Sequence, residues 1–227
     1  MEGATGAGTA AGLSLRATLV GRDRELETLT AFLHGTDEPR SRALTVVGPA
    51  GIGKTRLVDE ALARVADAGP TRARFCRSSA RSPSRSFGVF ARLLRSRFGI
   101  AEGMPAEAAK AQVRAQVAEV LDDRRVGDVC FFLGQMMDLR FFDSPLTKAV
   151  AQDSAQVAPL EHAVVKSFFE ADAARQPLTL ILDDLQLADD DSLGLLIYLM
   201  SQVEAPLAVV ATARHDLISR RESYFAV

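Results

Sequence analysis

Lysine is almost missing from this chain. Of its 27 lysine and arginine residues only Lys54, Lys110, Lys148 and Lys166 are lysines, so a single lysine stands before residue 110. Cysteine is scarce too. Cys76 and Cys130 read as buried reduced thiols, with no spacing that suggests a disulfide or metal framework. No stretch approaches the ~18 consecutive apolar residues of a membrane span. The N-terminus, MEGATGAGTAAGLSL, carries Glu2 and no basic n-region, so it does not read as a secretory leader, and a cytoplasmic protein is expected. There is no internal repeat. A formal net charge of −2 argues against bulk attraction to nucleic acid or to an anionic membrane. With 227 residues, 48% hydrophobic and 25% charged, the chain can bury one good core.

The lone early lysine marks the most informative stretch. Gly48-Pro49-Ala50-Gly51-Ile52-Gly53-Lys54-Thr55 matches the phosphate-loop pattern GxxxxGK[ST] in full. The four fixed positions co-occur by chance in about one chain in a hundred of this length. Context narrows that further. Leu44, Val46 and Val47 predict a buried parallel strand before the loop. From Thr55 to Ala68, Leu57, Val58, Ala61, Leu62 and Val65 share one helical face behind it. Glycines let such a loop curl so that successive N–H groups form an anion nest at a helix N-terminus. Lys54 would then bridge β- and γ-phosphates, and the Thr55 hydroxyl would ligate Mg²⁺. The loop and its first helical turn, Gly48 to Arg56, are the predicted nucleotide-binding residues.

Residues 1–16 are Gly/Ala/Thr-rich and predict a disordered tail, with one P-loop domain over 17–227. Asp23 and Glu25 favour a helix start, and Leu26, Leu29, Phe32 and Leu33 supply its stripe. Gly69-Pro70 closes the phosphate-loop helix. Arg72 to Arg77 alternates as a second strand, with Ala73 and Phe75 on one side and arginines on the other. No acidic residue falls between Ala68 and Ala101, while eight arginines fall between Arg72 and Arg97. One reading is an anion or nucleic-acid patch. The favoured reading is a strand and an amphipathic helix with a solvated basic face, able to dock an acidic partner. Phe87, Phe90, Leu94 and Phe98 recur at helical spacing and predict core, not base-stacking platforms.

Helices are expected over Ala106 to Leu121 and Val157 to Arg175. The segment Cys130 to Phe142 between them is apolar enough to be buried, but its pattern fixes no structure. So long a gap between strands predicts a helical insertion within residues 80–176.

Leu178-Thr179-Leu180-Ile181-Leu182-Asp183-Asp184 is an apolar strand ending in two carboxylates, the form of a Walker B element. Asp183 is assigned to the metal and Asp184 to positioning the attacking water. Of the aspartates that follow, Asp191 or Ser192 can start a helix over Leu193 to Val203. A fourth strand from Pro206 to Ala211 ends in Thr212-Ala213-Arg214, which would put a cation near the γ-phosphate.

Taken in order, LVGRDREL, GPAGIGKTRL, LILDDLQLADDDSL and VVATAR resemble the AAA-type ATPase modules of signal-transducing NTPases. Such modules occur in large ATP-binding LuxR-type transcription regulators and beside cyclase or kinase domains. The resemblance covers about residues 17–216. It implies an α/β three-layer P-loop fold with a mostly parallel sheet, ATP over GTP, and Mg²⁺ as cofactor. The GTPase motif NKxD is also absent. It places Val20, Gly21 and Arg22 at the adenine end and makes Arg214 a γ-phosphate sensor. It implies ATP and ADP as ligands, regulatory protein domains as partners, a nucleotide-dependent oligomer, and no direct contact with nucleic acid or membrane. Two departures matter. Asp184 stands where many AAA motors carry Glu, which fits slow turnover and switching. The family's lid follows the sensor strand, whereas this chain ends at Val227, so a truncated segment or an open-sided site is expected. No residue stands out as an arginine finger; Arg220 and Arg221 are candidates. A slow regulatory ATPase is therefore expected; a ring-forming remodeller and a non-catalytic module using the basic 72–97 face are the alternatives.

Overall fold

The computed structural model describes residues 21–35, 38–69, 71–80, 86–142 and 154–220, with only the backbone at 123, 154–156 and 219–220. The expected tail, Val20 and Arg221 lie outside the described residues. In chain order the elements are α1 (Asp23–His34), β1 (Arg42–Val47), α2 (Lys54–Asp67), β2 (Arg74–Ser79), α3 (Gly88–Phe98), α4 (Ala106–Ala118), α5 (Asp123–Met137), α6 (Ser154–Arg175), β3 (Leu178–Asp183), α7 (Asp190–Gln202), β4 (Leu207–Ala213) and α8 (His215–Arg220). A 3-10 turn, Leu185–Leu187, links β3 to α7.

The four strands form one parallel sheet in the order β1-β4-β3-β2. Side-chain alternation along β3 and β4 sorts the helices into two layers. Ile181 and Val210 join Leu26, Leu29 and Leu33 of α1 and Leu57, Val58, Ala61 and Val65 of α2 on one face. Leu180, Leu182, Val209 and Ala211 face α3 to α7 on the other. This is the expected three-layer α/β arrangement. Both central strands are buried along their whole length. β1 is not: Leu44, Val46 and Val47 are half-buried. Among the described residues β1 pairs only with β4, which leaves this strand, expected to be buried, only half-buried there.

The long interval between β2 and β3 holds α3, α4, α5 and α6, whose apolar faces share the larger core with the sheet. Phe90 meets Phe169 edge-on at 6.2 Å and Phe98 lies 5.6 Å from Phe168, so these aromatics are core. The apolar segment without a legible pattern divides: Cys130 to Met137 is the C-terminal part of α5, which buries Cys130, Phe132, Leu133, Met136 and Met137, whereas Phe142 beyond the helix is exposed, against the expectation of burial. Burial pushes both thiols, Cys76 and Cys130, up to about 11 and leaves them unreactive.

The basic stretch corrects the expectation. Within β2, Arg74 shares its face with buried Cys76 and Ser78, while Arg77 lies on the Phe75 side. Arg74 and Arg97 converge on Asp172 of α6, which is fully buried: Arg74 Nη1 donates to Oδ1 at 2.8 Å, and Arg97 Nε donates to Oδ2 at 2.6 Å. Arg92 Nε donates to the Ser79 carbonyl, and Arg95 to that of Met137. These arginines hold β2, α3, α5 and α6 together, and neither a solvated basic face nor an anion patch is built from them. Arg81 and Arg85 lie outside the described residues. Among the described residues no helix is long and apolar enough to cross a membrane.

One buried carboxyl stands apart. Glu161 of α6 is 9% exposed. Burial first, then Asp191 of α7, pushes its pKa up to about 7. Its folded value lies above its unfolded one, so the folded state holds the extra proton between pH ~4.5 and ~7. Stability is favoured at the acidic end of this window and falls as pH rises through it, by up to about 3 kcal/mol. His162, lowered by burial, works in the opposite sense below its own ordinary value. The difference between wild type and Glu161→Gln therefore isolates the effect. Urea unfolding at pH 5 and pH 8 should find the variant more stable than wild type only at pH 8. Equal differences at both pH values would refute the assignment.

Candidate functional site

The carboxyl ends of β1, β4 and β3 lie side by side, the edge at which open α/β sheets bind ligands. Register brings Val47 opposite Ala213 and Leu182 opposite Ala211. The phosphate loop therefore leaves β1 beside the tip of β4, and the Gly48 N–H donates to the Ala213 carbonyl at 3.2 Å. Gly51 and Gly53 take φ of +76° and +91°, which L side chains rarely adopt, so the loop needs glycine at both. The loop ends in α2, whose N-terminus has no side-chain cap and no acidic residue in its first turn. Its N–H groups and the helix dipole are thus open to an anion.

Lys54, the first residue of α2, is buried and folds back over the loop. Its Nζ donates to the carbonyls of Gly48 at 3.0 Å and Pro49 at 2.9 Å. Pro49, Ala50, Gly51, Ile52, Thr55 and Arg56 are exposed, and Gly53 is half-buried. Gly21, with φ +77°, and Arg22 stand at the N-terminal end of α1; the Arg22 carbonyl accepts the Leu26 N–H. Arg214 is exposed at the tip of β4, and Arg220 closes α8.

Asp183 ends β3 with its side chain 9% exposed. Its Oδ2 accepts Arg77 Nε at 2.6 Å, and the same guanidinium reaches Asp59 of α2. Its Oδ1 is buried and has no hydrogen-bond partner among the described residues. Asp184 follows in a left-handed conformation, φ +55°. Its N–H donates to Thr212 Oγ1 at 3.0 Å, and its Oδ1 accepts Gln186 Nε2 at 3.2 Å. The structure thus groups Gly48 to Thr55, Asp183, Asp184 and Arg214 around one sheet edge.

Three contributors escape a reading of the sequence. Arg77 and Gln186 hold the two carboxylates and Thr212 holds the Asp184 main chain; Gln186 belongs to DDLQLAD and Thr212 to VVATAR, whereas Arg77 belongs to no recognisable motif. The expected start of α7 at Asp191 or Ser192 is also corrected, because the cap is Asp189. Its carboxylate accepts the Ser192 N–H at 2.8 Å and also the N–H groups of Phe87 at 2.9 Å and Gly88 at 3.0 Å, tying the start of α3 to that of α7.

A family model described as AAA ATPase domain matches residues 18–210. The chain belongs to this AAA ATPase domain family. Among solved structures the AAA ATPase domain is similar to Cdc6p from Pyrobaculum aerophilum, with a TM-score of 0.50 and 15% identity. That match covers 95% of this chain and 45% of the Cdc6p chain, and at this identity it speaks for the fold alone. A comparison with curated proteins returns no match. Membership of the AAA ATPase domain family implies an ATP-binding module and the Mg²⁺ that usually accompanies it. The residues present fit both. The uncapped α2 N-terminus suits a phosphate, and the buried Asp183 Oδ1, at the carboxyl end of β3 and without a partner among the described residues, suits a cation or its water.

Proposed function

We propose that this chain is an ATP-binding regulatory switch with slow, Mg²⁺-dependent hydrolysis, serving a signalling or transcription regulator. The observation that carries the reading is that the site's charged groups already have partners. Lys54 is bonded to its own loop, and Asp183 is ion-paired with Arg77. Binding of nucleotide therefore exchanges one set of contacts for another, which couples ligand to conformation.

Mg²⁺, when bound, would neutralise and orient the phosphates. Thr55 and Asp183 would hold it, and the loop from Gly48 to Gly53 would receive phosphate oxygens on its N–H groups. Lys54 would leave the carbonyls of Gly48 and Pro49 for the β- and γ-phosphates, while Arg56 follows in the exposed first turn. Asp184 would orient the attacking water, with an arm one methylene shorter than glutamate. Arg214 would meet charge at the γ-phosphate, and Gly21 and Arg22, with Val20, would flank the adenine.

The alternatives fare unequally. The non-catalytic module has less support, because Arg74, Arg77, Arg92, Arg95 and Arg97 of its basic face bond within the fold. A ring-forming remodeller would need an arginine from a neighbour. Calorimetric titration with ATP, ADP and GTP in Mg²⁺, beside phosphate release at two protein concentrations, separates these cases. Adenine-specific binding with slow, concentration-independent release supports the switch. Turnover rising steeply with concentration supports the ring, and no binding to the wild type overturns both.

Asp184→Asn tests the hydrolytic role. ATP affinity should stay within about threefold, while the single-turnover rate falls by about 10²-fold, the scale of positioned general-base catalysis. An unaltered rate would remove Asp184 from the mechanism.

A further inference from the structure

The geometry points to Gln186 as a positioning residue that sets the orientation of the Asp184 carboxylate and ties it to the tip of β4. This assignment rests on the hydrolytic reading above. Gln186 is 3% exposed and lies in the 3-10 turn between β3 and α7. Its amide makes two bonds of opposite polarity. The Oε1 accepts the Arg214 N–H at 3.1 Å, and the Nε2 donates to Asp184 Oδ1 at 3.2 Å.

The direction of the first bond decides the second. A backbone N–H can only donate, so the amide oxygen must face Arg214. The amide nitrogen is then turned to Asp184, where it can serve only as a donor. One carboxylate oxygen of Asp184 is thereby occupied, leaving Oδ2, which has no hydrogen-bond partner among the described residues, to take a water's proton. The main chain of Asp184 is fixed by the same strand tip, since its N–H is held by Thr212 Oγ1 in a backbone conformation unusual for a non-glycine residue. Asp184 is thus braced at both ends against β4, once through Thr212 and once through Gln186. The second brace ends on Arg214, the residue proposed to meet the γ-phosphate, and the Arg214 carbonyl in turn accepts the Leu217 N–H of α8. A displacement of Arg214 would be carried by Gln186 to the carboxylate, and by its own carbonyl to α8.

Two variants and two readouts test this. Gln186→Glu keeps an acceptor for the Arg214 N–H but sets a carboxylate against Asp184. Gln186→Leu removes both bonds and keeps an apolar filler of similar size. In Gln186→Glu, kcat should fall about tenfold, ATP affinity in Mg²⁺ should stay within about twofold, and protection of the Arg214 amide from hydrogen exchange should persist. In Gln186→Leu the Arg214 amide of the nucleotide-free chain should exchange about tenfold faster, with kcat falling as well. A merely structural role would move stability and affinity together without the split. Wild-type turnover in Gln186→Glu would overturn the positioning role, and unchanged Arg214 protection in Gln186→Leu would overturn the brace. A wild type that binds ATP yet releases no phosphate would overturn the hydrolytic reading and this assignment with it, a result distinct from a wild type that turns over and a variant that matches it.

Discussion

Lys54→Ala is expected to abolish nucleotide binding while the fold stands. In the free protein the ammonium bonds to the carbonyls of Gly48 and Pro49. With nucleotide it would make charge-assisted bonds to phosphate, each worth about 1.5–3 kcal/mol. Loss of two such bonds corresponds to a rise in Kd of at least about 10²-fold. The cost to folding is smaller. Pro49 is exposed, so water can replace the ammonium there, and alanine is a good helix former at the start of α2. The helix itself stays anchored by Leu57, Val58, Ala61 and Val65 against α1 and the sheet. Stability should fall by only about 1 kcal/mol, a few degrees in Tm for a chain of this size. Calorimetry and thermal unfolding on one preparation check both halves. Unchanged affinity would sink the site, and a collapse of Tm would mean that Lys54 is structural first.

What the sequence makes legible here is what local chemistry decides. The loop announces itself because glycine, lysine and threonine must occur at fixed spacing between a strand and a helix. The stripes of α1 and α2 are legible for a similar reason, since their burial follows a 3.6-residue period. Partners far along the chain are not legible. The arginines of β2 and α3 read as a solvated face because nothing nearby in sequence is acidic, yet Asp172 lies 98 residues from Arg74 and 75 from Arg97. The same holds for Arg77, whose partner Asp183 is 106 residues away. Three consecutive aspartates can each cap α7, and locally they are equivalent. The choice of Asp189 coincides with the N–H groups of Phe87 and Gly88, which only the folded chain brings to it. The half-burial of β1, which has β4 as its one neighbour among the described residues, has a comparable cause, because an apolar strand reads the same whether one or two neighbours flank it.

The largest effect on stability should come from Asp172. Its carboxylate is fully buried and meets two guanidiniums, of which Arg97 is itself only 7% exposed. Taking such charges out of water costs several kcal/mol per ion, and mutual attraction with satisfied hydrogen bonds offsets that cost. Asp172→Ala removes the anion but leaves the Arg97 guanidinium in the interior with Gln116 as its other polar partner. The expected loss is about 3–5 kcal/mol, and a drop of about 10 °C or more in Tm. Arg74→Ala should cost less, because Arg74 is 29% exposed and Asp172 retains Arg97. A paired replacement, Asp172→Leu with Arg97→Met, should recover much of the loss, since apolar side chains of similar volume remove the stranded charge along with its partner. In that background Arg74 still has the Gln176 Oε1 acceptor at 2.9 Å and a path to solvent. Urea titrations of the four proteins decide the matter. A loss below about 1 kcal/mol in Asp172→Ala would show that water reaches Arg97 and that the cluster is not a structural centre, whereas a double variant as unstable as Asp172→Ala would place the cost in packing and not in the unpaired charge.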